Sequence, residues 1–438
     1  MKKMNISNDS LDTVKKLLLD LLAPLPISNQ TSLSVQFERN MQPSKFIASA
    51  VLNELKPDGL EAFIKSVREH RLGPMLRHML IKHHSHIEIP ERIETYLNSA
   101  YRAANFKALH AQQCLILTHR IFSQHKIRYM ALKGSYLAFH AYPQASLRPM
   151  RDLDILVPEA QALEAFYLLL SKGFNRIQNC SQNPEFALKM KHQLPSLFDP
   201  VSRMVVEIHN RIGDPNQQTI SLDENLWARS VQKRIGNELI SFESPVDLLL
   251  HLIHHAAYHH RFDNGPLLLS DIAFLLSKHD IKWVVFWQLA RQDSIVSGAM
   301  LVLKLVVAYW PNVLIDWPDF MVEEPTPQTL DDASYSLLRN YDNRRAVTLQ
   351  INSEAKGFFS WFEIGFNEVF TSKEHLAGRF SVRPDTIKIY AYYFINFWRL
   401  LTNWLPRIFN LRLSDQQQEI KRLQRLDHFL KLNCHIDT

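Results

Sequence analysis

Tyr129-Met-Ala-Leu-Lys-Gly-Ser135, followed after Tyr142-Pro143 by Leu147-Arg-Pro-Met-Arg-Asp152-Leu-Asp154-Ile-Leu-Val157, carries two kinds of signal side by side. One is a carboxylate pair. Asp152 and Asp154 stand two residues apart in a run of Leu, Ile and Val, so on a strand their side chains leave the same face. Carboxylates so placed repel each other. A divalent cation relieves that repulsion, and hard oxygen ligands suit Mg²⁺ held together with a phosphate. The other signal is a turn: an apolar strand ends at Gly134-Ser135 and a helix begins, which aims backbone N–H groups and a positive dipole end at an anion lying there.

Downstream of this stretch, the pattern predicts a helix from Pro158 to Lys172 stopped by Gly173, and a short strand over Phe174–Ile177. Gln193–Phe198 and Met204–His209, joined by Asp199-Pro-Val-Ser-Arg203, read as a β-hairpin. In its second arm Val205, Glu207 and His209 share one face, which adds a third carboxylate. If Tyr129–Leu132, Leu153–Val157 and Met204–His209 lie in one mixed sheet, Asp152, Asp154 and Glu207 are expected to converge on one point. On the repulsion argument, Asp154→Asn is expected to leave metal-free stability level or to raise it.

Upstream, apolar positions from Ser10 to Leu22 recur at helical spacing, and the helix is expected to end at or before Ala23 because Pro24 comes next. Pro24 and Pro26 open a mostly polar linker reaching Pro43. Phe46 to His125 is helical almost throughout, with breaks at Lys56-Pro-Asp-Gly59, Gly73-Pro74 and Ile89-Pro90. From Pro245 helices return over Val246–His260, Leu267–Leu276 and Trp283–Arg291. The run His251-Leu-Ile-His-His-Ala-Ala-Tyr-His-His260 puts His251, His255 and His259 on one helix face; it is either a polar face bordering the cleft or, less commonly for such spacing without a HExxH glutamate, a zinc site. The aromatic segment 387–409 reads first as an aromatic core helix, the commoner outcome, and second as a candidate for peripheral membrane contact as an interfacial helix; its uncharged run is too short to span a bilayer.

The chain has 438 residues, too many for one small core, and its 46% apolar content is that of a globular protein. Only 11 glycines in that length disfavour an all-β design. The formal net charge of +6 suits an anionic substrate and carries no strong nucleic-acid signature. Cys114, Cys180 and Cys434 are far apart and in no CxxC arrangement, which fits a reducing cytoplasmic setting and excludes a disulfide framework or a thiolate zinc site. Met1-Lys-Lys could open a signal peptide, but Asp20 interrupts the apolar run that follows, so the stretch is expected to be an amphipathic helix.

Leu132-Lys-Gly-Ser135, Tyr142-Pro143, Leu147-Arg-Pro-Met150 and Asp152-Leu-Asp-Ile-Leu-Val157, with the histidine run and Asp271-Ile-Ala, resemble the signature of a bacterial family of uncharacterised nucleotidyltransferases in the DNA polymerase β superfamily. The resemblance fades beyond about residue 300. It implies an α+β protein whose small mixed-sheet polymerase β-type nucleotidyltransferase core is embedded in mostly helical N- and C-terminal regions. The expected divisions are 1–45 (helix and linker), 46–127 (helical), 128–212 (core), 213–300 (helical) and 301–438 (C-terminal helical).

For activity, the resemblance implies Mg²⁺- or Mn²⁺-dependent transfer of a nucleoside monophosphate from an NTP to an acceptor hydroxyl or phosphate, with release of pyrophosphate. Asp152 and Asp154 would bind two metals, and Glu207 would bind the acceptor-side metal or act as base. Gly134 and Ser135, beside Lys133, would receive the β- and γ-phosphates. Arg148 and Arg151 either neutralise phosphate charge or pair with Asp152 and Asp154. A module of the same fold that binds a nucleotide or a partner without turnover, membrane-peripheral through 387–409, is the alternative.

Overall fold

A computed structural model of the chain describes residues 8–24, 57–177, 183–213, 224–339 and 414–431, with positions 52, 55, 373, 376, 386–387, 389–395, 397–398 and 402. The expected linker beyond Pro24 lies outside them, as does much of 387–409. Of the described residues in that aromatic segment, Ile387, Tyr390, Phe394 and Trp398 are exposed. Among the described residues no helix is long and apolar enough to cross a membrane.

Helix α1 (Asn8–Leu22) ends two residues before Pro24, as the proline dictates. Three helices come next where the breaks divide the pattern: α2 (Pro57–Glu69), α3 (Gly73–His83) and α4 (Glu91–Gln124). The proline at or next to the first position of α2 and α3 gives up an N–H that the helix would have left unpaired. After the sheet come α9 (Pro245–His254), α10 (Leu267–Lys278), α11 (Trp283–Gln292), α12 (Val296–Tyr309), α13 (Pro327–Leu337) and α14 (Ser414–Lys431). One contiguous apolar cluster joins Val14 of α1, Phe122 of α4, the strand residues Ile155 and Val206, Leu301 of α12 and Leu426 of α14.

The sheet is built from β1 (Met130–Ala131), β2 (Asp152–Leu156), β3 (Asn175–Arg176), β4 (Leu197–Asp199), β5 (Met204–His209), β6 (Val231–Ile235) and β7 (Glu238–Phe242), in the order β3-β4-β5-β2-β1-β7-β6. β1 runs antiparallel to β2, and β2 runs parallel to β5, so the sheet is mixed as the pattern predicts. Parity does the sorting: Leu153 and Ile155 of β2 and Met204, Val206 and Ile208 of β5 are buried, leaving the acidic residues on the other face. The helix of Pro158–Lys172 appears as α6 (Glu159–Ser171), ahead of the short helices α7 (Pro184–Met190) and α8 (Glu224–Arg229), and Gly173 takes φ +97°, the left-handed stop.

One element departs from expectation. The region 213–300 reads as helical after the core, yet β6 and β7 form a hairpin that joins the sheet, with β7 parallel to β1 through Ala131 and Phe242. Its signal is present in the sequence. Val231-Gln-Lys-Arg-Ile235 and Glu238-Leu-Ile-Ser-Phe242 flank Gly236-Asn237, and Gly236 adopts φ +58° at the tight turn. β1 is also shorter than Tyr129–Leu132, although the Leu132 N–H still donates to the Asp154 carbonyl at 2.9 Å.

α1 yields a test of its packing. Burial pushes the Asp20 carboxyl up to about 7, against the pull of Lys16. An acid whose folded pKa exceeds its unfolded value binds more protons when folded, so its contribution to stability is present at low pH and is lost as pH rises toward 7. Asp20→Asn is thus expected to raise Tm over the wild type at pH 8, with the gain shrinking toward pH 5. A gain equal at both pH values in melting curves would contradict this burial.

Candidate active site

The register of β2 against β5 sets the floor. Asp152 lies beside Val205 and Asp154 beside Glu207, so Asp154 and Glu207 are lateral neighbours on one face with Asp152 one pleat away. His209, two residues beyond Glu207, brings Nε2 to 3.0 Å from Asp154 Oδ1. Ligand-type atoms of Asp154, Glu207 and His209 lie within 4.8 Å of one another, the one such group among the described residues. Asp152, expected in that group, stands just outside it. Glu207 is already oriented: Gln193 Nε2 donates to one oxygen at 3.0 Å and the Ser196 hydroxyl to the other at 2.8 Å.

The two aspartates differ in charge balance. Burial and the carboxylates of Asp154 and Glu207 push Asp152 up to about 6. Burial works against ionisation of Asp154 as well, yet the Lys133 ammonium and the His209 hydrogen bond outweigh it and hold that carboxyl well below the usual range. Lys133 Nζ lies 4.0 Å from Asp154 Oδ2.

Lys133 reaches that position from a strained backbone, φ +38° and ψ −103°, at the start of the short helix α5 (Gly134–Tyr136). The strain is held by a group that sequence reasoning missed. Glu243, fully buried just after β7, accepts the Lys133 N–H at 3.0 Å through Oε2, while its Oε1 lies 2.6 Å from His251 Nδ1. Burial pushes Glu243 up to about 7, and burial followed by the charges of Lys133 and His209 pushes His251 well below its ordinary value. Charge is disfavoured on both partners of this buried pair.

Gly134 lines the cleft, and its missing side chain matters: a β-carbon there would fall 2.7 Å from Arg148 Nη1. That guanidinium cannot swing aside freely. Arg148 pairs with neither Asp152 nor Asp154; it makes a two-pronged bond to Asp271 of α10, Nε to Oδ1 and Nη2 to Oδ2, both 3.0 Å, and the Tyr142 hydroxyl donates to Oδ1 at 2.7 Å. The Ser135 hydroxyl is used within the turn, donating to the Leu132 carbonyl at 2.9 Å, and Ser135 is buried beneath the cleft wall. Arg151 is exposed at the cleft mouth.

The cleft, about 620 Å³, is lined by histidines: His251, His254, His255, His259 and His260, with His192 and His209. The face expected for an α-helix changes because α9 passes into a π-helix over His255–His259. The His260 N–H donates to the His255 carbonyl, and this wider turn brings His260 Nε2 to 3.1 Å from His255 Nε2. His255 also stacks on His259, the ring centroids 5.6 Å apart. These three do not converge as metal ligands; the run is a polar wall of the cleft.

A mixed sheet with carboxylates on adjacent strands stands beside a glycine turn in the same cleft, which is the arrangement that the resemblance to nucleotidyltransferases implies. The chain matches the family described as "Uncharacterised nucleotidyltransferase" over residues 56–311, and it belongs to that family. The match takes in α2–α4 ahead of the sheet as well as the helices through α12. No curated protein is similar enough to match.

Proposed function

We propose that the protein transfers a nucleoside monophosphate from an NTP to an acceptor hydroxyl or phosphate in a reaction that depends on Mg²⁺ or Mn²⁺. The observation that carries this reading is the β2–β5 register, which sets Asp154 beside Glu207 with His209 in the same cluster. Two carboxylates and an imidazole within 4.8 Å are a donor set that fits a divalent cation, and Asp152 is on the same face of β2 one pleat away. Mg²⁺ or Mn²⁺ held there supplies phosphate charge neutralisation and a lowered pKa for the attacking hydroxyl.

The chain's own groups prepare the rest. Lys133 balances Asp154 and presents a cation to the cleft, and Glu243 fixes the backbone from which it projects. Gln193 and Ser196 hold Glu207 so that it faces the acceptor with one orientation. The acceptor oxygen bonds to the α-phosphorus, the bond from that phosphorus to the bridging oxygen of the β-phosphate breaks, and pyrophosphate leaves with the bonding pair. The acceptor proton passes to Glu207 acting as base.

Incubating the protein with a cell extract and each NTP, labelled at either the α- or the γ-phosphate, tests this. Label from the α position is expected on an acceptor, and label from the γ position in pyrophosphate. Transfer of the γ label, or NTP binding with no transfer of either label, would replace the reading with phosphoryl transfer or with a binding module.

A further inference from the structure

Cations gather at the Asp152 end of the cleft, and two of them come from helices ahead of the sheet. Arg71 sits in the turn between α2 and α3 and lines the cleft together with Gly134, Arg151 and Asp152. Its backbone is left-handed, φ +58°, a conformation that disfavours any residue with a β-carbon and persists only where the surroundings fix it. The surroundings do so: a β-carbon on the neighbouring Gly73 would fall 2.7 Å from Ala100 Cβ of α4, so the turn is pressed against that helix. Arg71 Nη1 donates to the Pro149 carbonyl at 3.4 Å, in the loop that carries Arg148 and Arg151 into β2.

Lys107 of α4 is not one of the residues that line the cleft, but it is near enough to this group to feel its charges. Besides partial burial, the charges of Arg71 and Arg151 disfavour its ammonium, which puts the three cations within mutual electrostatic reach, and Asp152 is the carboxylate acting against them. Arg148, the other guanidinium nearby, is committed to Asp271. Arg71 and Arg151 thus present two guanidinium groups to the cleft beside Asp152, and guanidinium forks match phosphate oxygens.

We infer that Arg71, Lys107 and Arg151 form a phosphate subsite for the triphosphate of the donor nucleotide, with the helices ahead of the sheet supplying two of its three cations. The inference rests on the nucleotidyl-transfer reading above. It assigns the donor and not the acceptor because Arg71 is linked through Pro149 and Arg148 to the Gly134 wall, away from the Gln193–Ser196 wall that holds Glu207.

The test is calorimetry on the full chain with tripolyphosphate plus Mg²⁺ as probe, alongside an NTP plus Mg²⁺. Arg71→Met and Lys107→Met are each expected to weaken tripolyphosphate about tenfold, about 1.4 kcal/mol. Arg71→Lys, which keeps the charge and loses the fork, should fall between. Mn²⁺ binding without phosphate, followed by electron paramagnetic resonance, should stay unchanged in all three because Asp154, Glu207 and His209 are untouched. Lys107 is exposed on α4, so its variant should fold even if Arg71→Met does not. Wild-type protein that binds neither tripolyphosphate nor any NTP would bring down the nucleotidyl-transfer reading and this subsite with it. Wild-type protein that binds both, with Lys107→Met and Arg71→Lys at undiminished affinity, would overturn the subsite alone. If those variants instead lose only inorganic phosphate binding in the presence of NTP, the cations serve the acceptor and the donor assignment is wrong.

Discussion

Asp154→Asn is expected to lower nucleotidyl transfer by about 10³-fold or more while the protein stays folded, because the amide keeps the shape of the carboxylate and removes the charge that a metal-assisted transition state needs. Its effect on the metal-free protein should differ from that of the same change at Asp152. Repulsion within the pair, taken by itself, predicts level or increased stability for Asp154→Asn. The structure shifts that expectation to Asp152, which burial, Asp154 and Glu207 together push up to about 6. Asp154 is held ionised by Lys133 and His209, and the Lys133 side chain is only 13% exposed, so neutralising Asp154 leaves that cation short of its partner. Without metal, Tm should fall for Asp154→Asn and rise for Asp152→Asn. Melting curves with transfer assays on both variants make the comparison, and undiminished transfer by folded Asp154→Asn would end the catalytic assignment.

Arg148→Met should cost about 3–5 kcal/mol of folding stability, the usual penalty for removing one partner of a buried ion pair. The partner left behind is Asp271, 4% exposed, with the Tyr142 hydroxyl as its remaining donor in this network. Much of the loss should return in the double variant Arg148→Met, Asp271→Leu, since replacing both charges by apolar groups removes the stranded carboxylate. Urea unfolding of the two variants measures this. A single-variant loss below about 1 kcal/mol, the range of exposed pairs, would show that Arg148 is not a buried anchor and is available to ligand.

Which side chains share a face within each strand was legible from spacing, and the mixed sheet that joins the strands from the family resemblance. Period-two alternation fixes that Asp152 and Asp154 share a face, and the hairpin about Asp199–Arg203 fixes the same for Val205, Glu207 and His209. Helix ends were legible where Pro24, Pro57, Pro74 and Gly173 act locally. The features that were not legible depend on pairings between distant elements. Glu243 is one acid after a short strand, and its role appears only when β7 lies parallel to β1 and puts it under the Lys133 N–H. The Arg148 partner is on α10, so nearness in sequence pointed to Asp152 and Asp154 instead. Arg71 lies in a helix turn with no motif of its own, and only the packing of α3 on α4 carries it to the cleft. The β6–β7 hairpin did have a local signal, Gly236-Asn237 between alternating strands, outweighed by the helical character of the chain from Pro245 onward.

The central claim is a divalent metal site that prepares the cleft for a triphosphate. Its most direct test is calorimetric titration of each NTP into the wild-type chain, once with Mg²⁺ and once with a chelator. Asp152, Asp154 and Glu207 meet the triphosphate as a negative cluster when no cation is bound, so the favoured NTP should bind at least about tenfold more tightly with Mg²⁺. Equal affinity with and without the chelator would contradict the account.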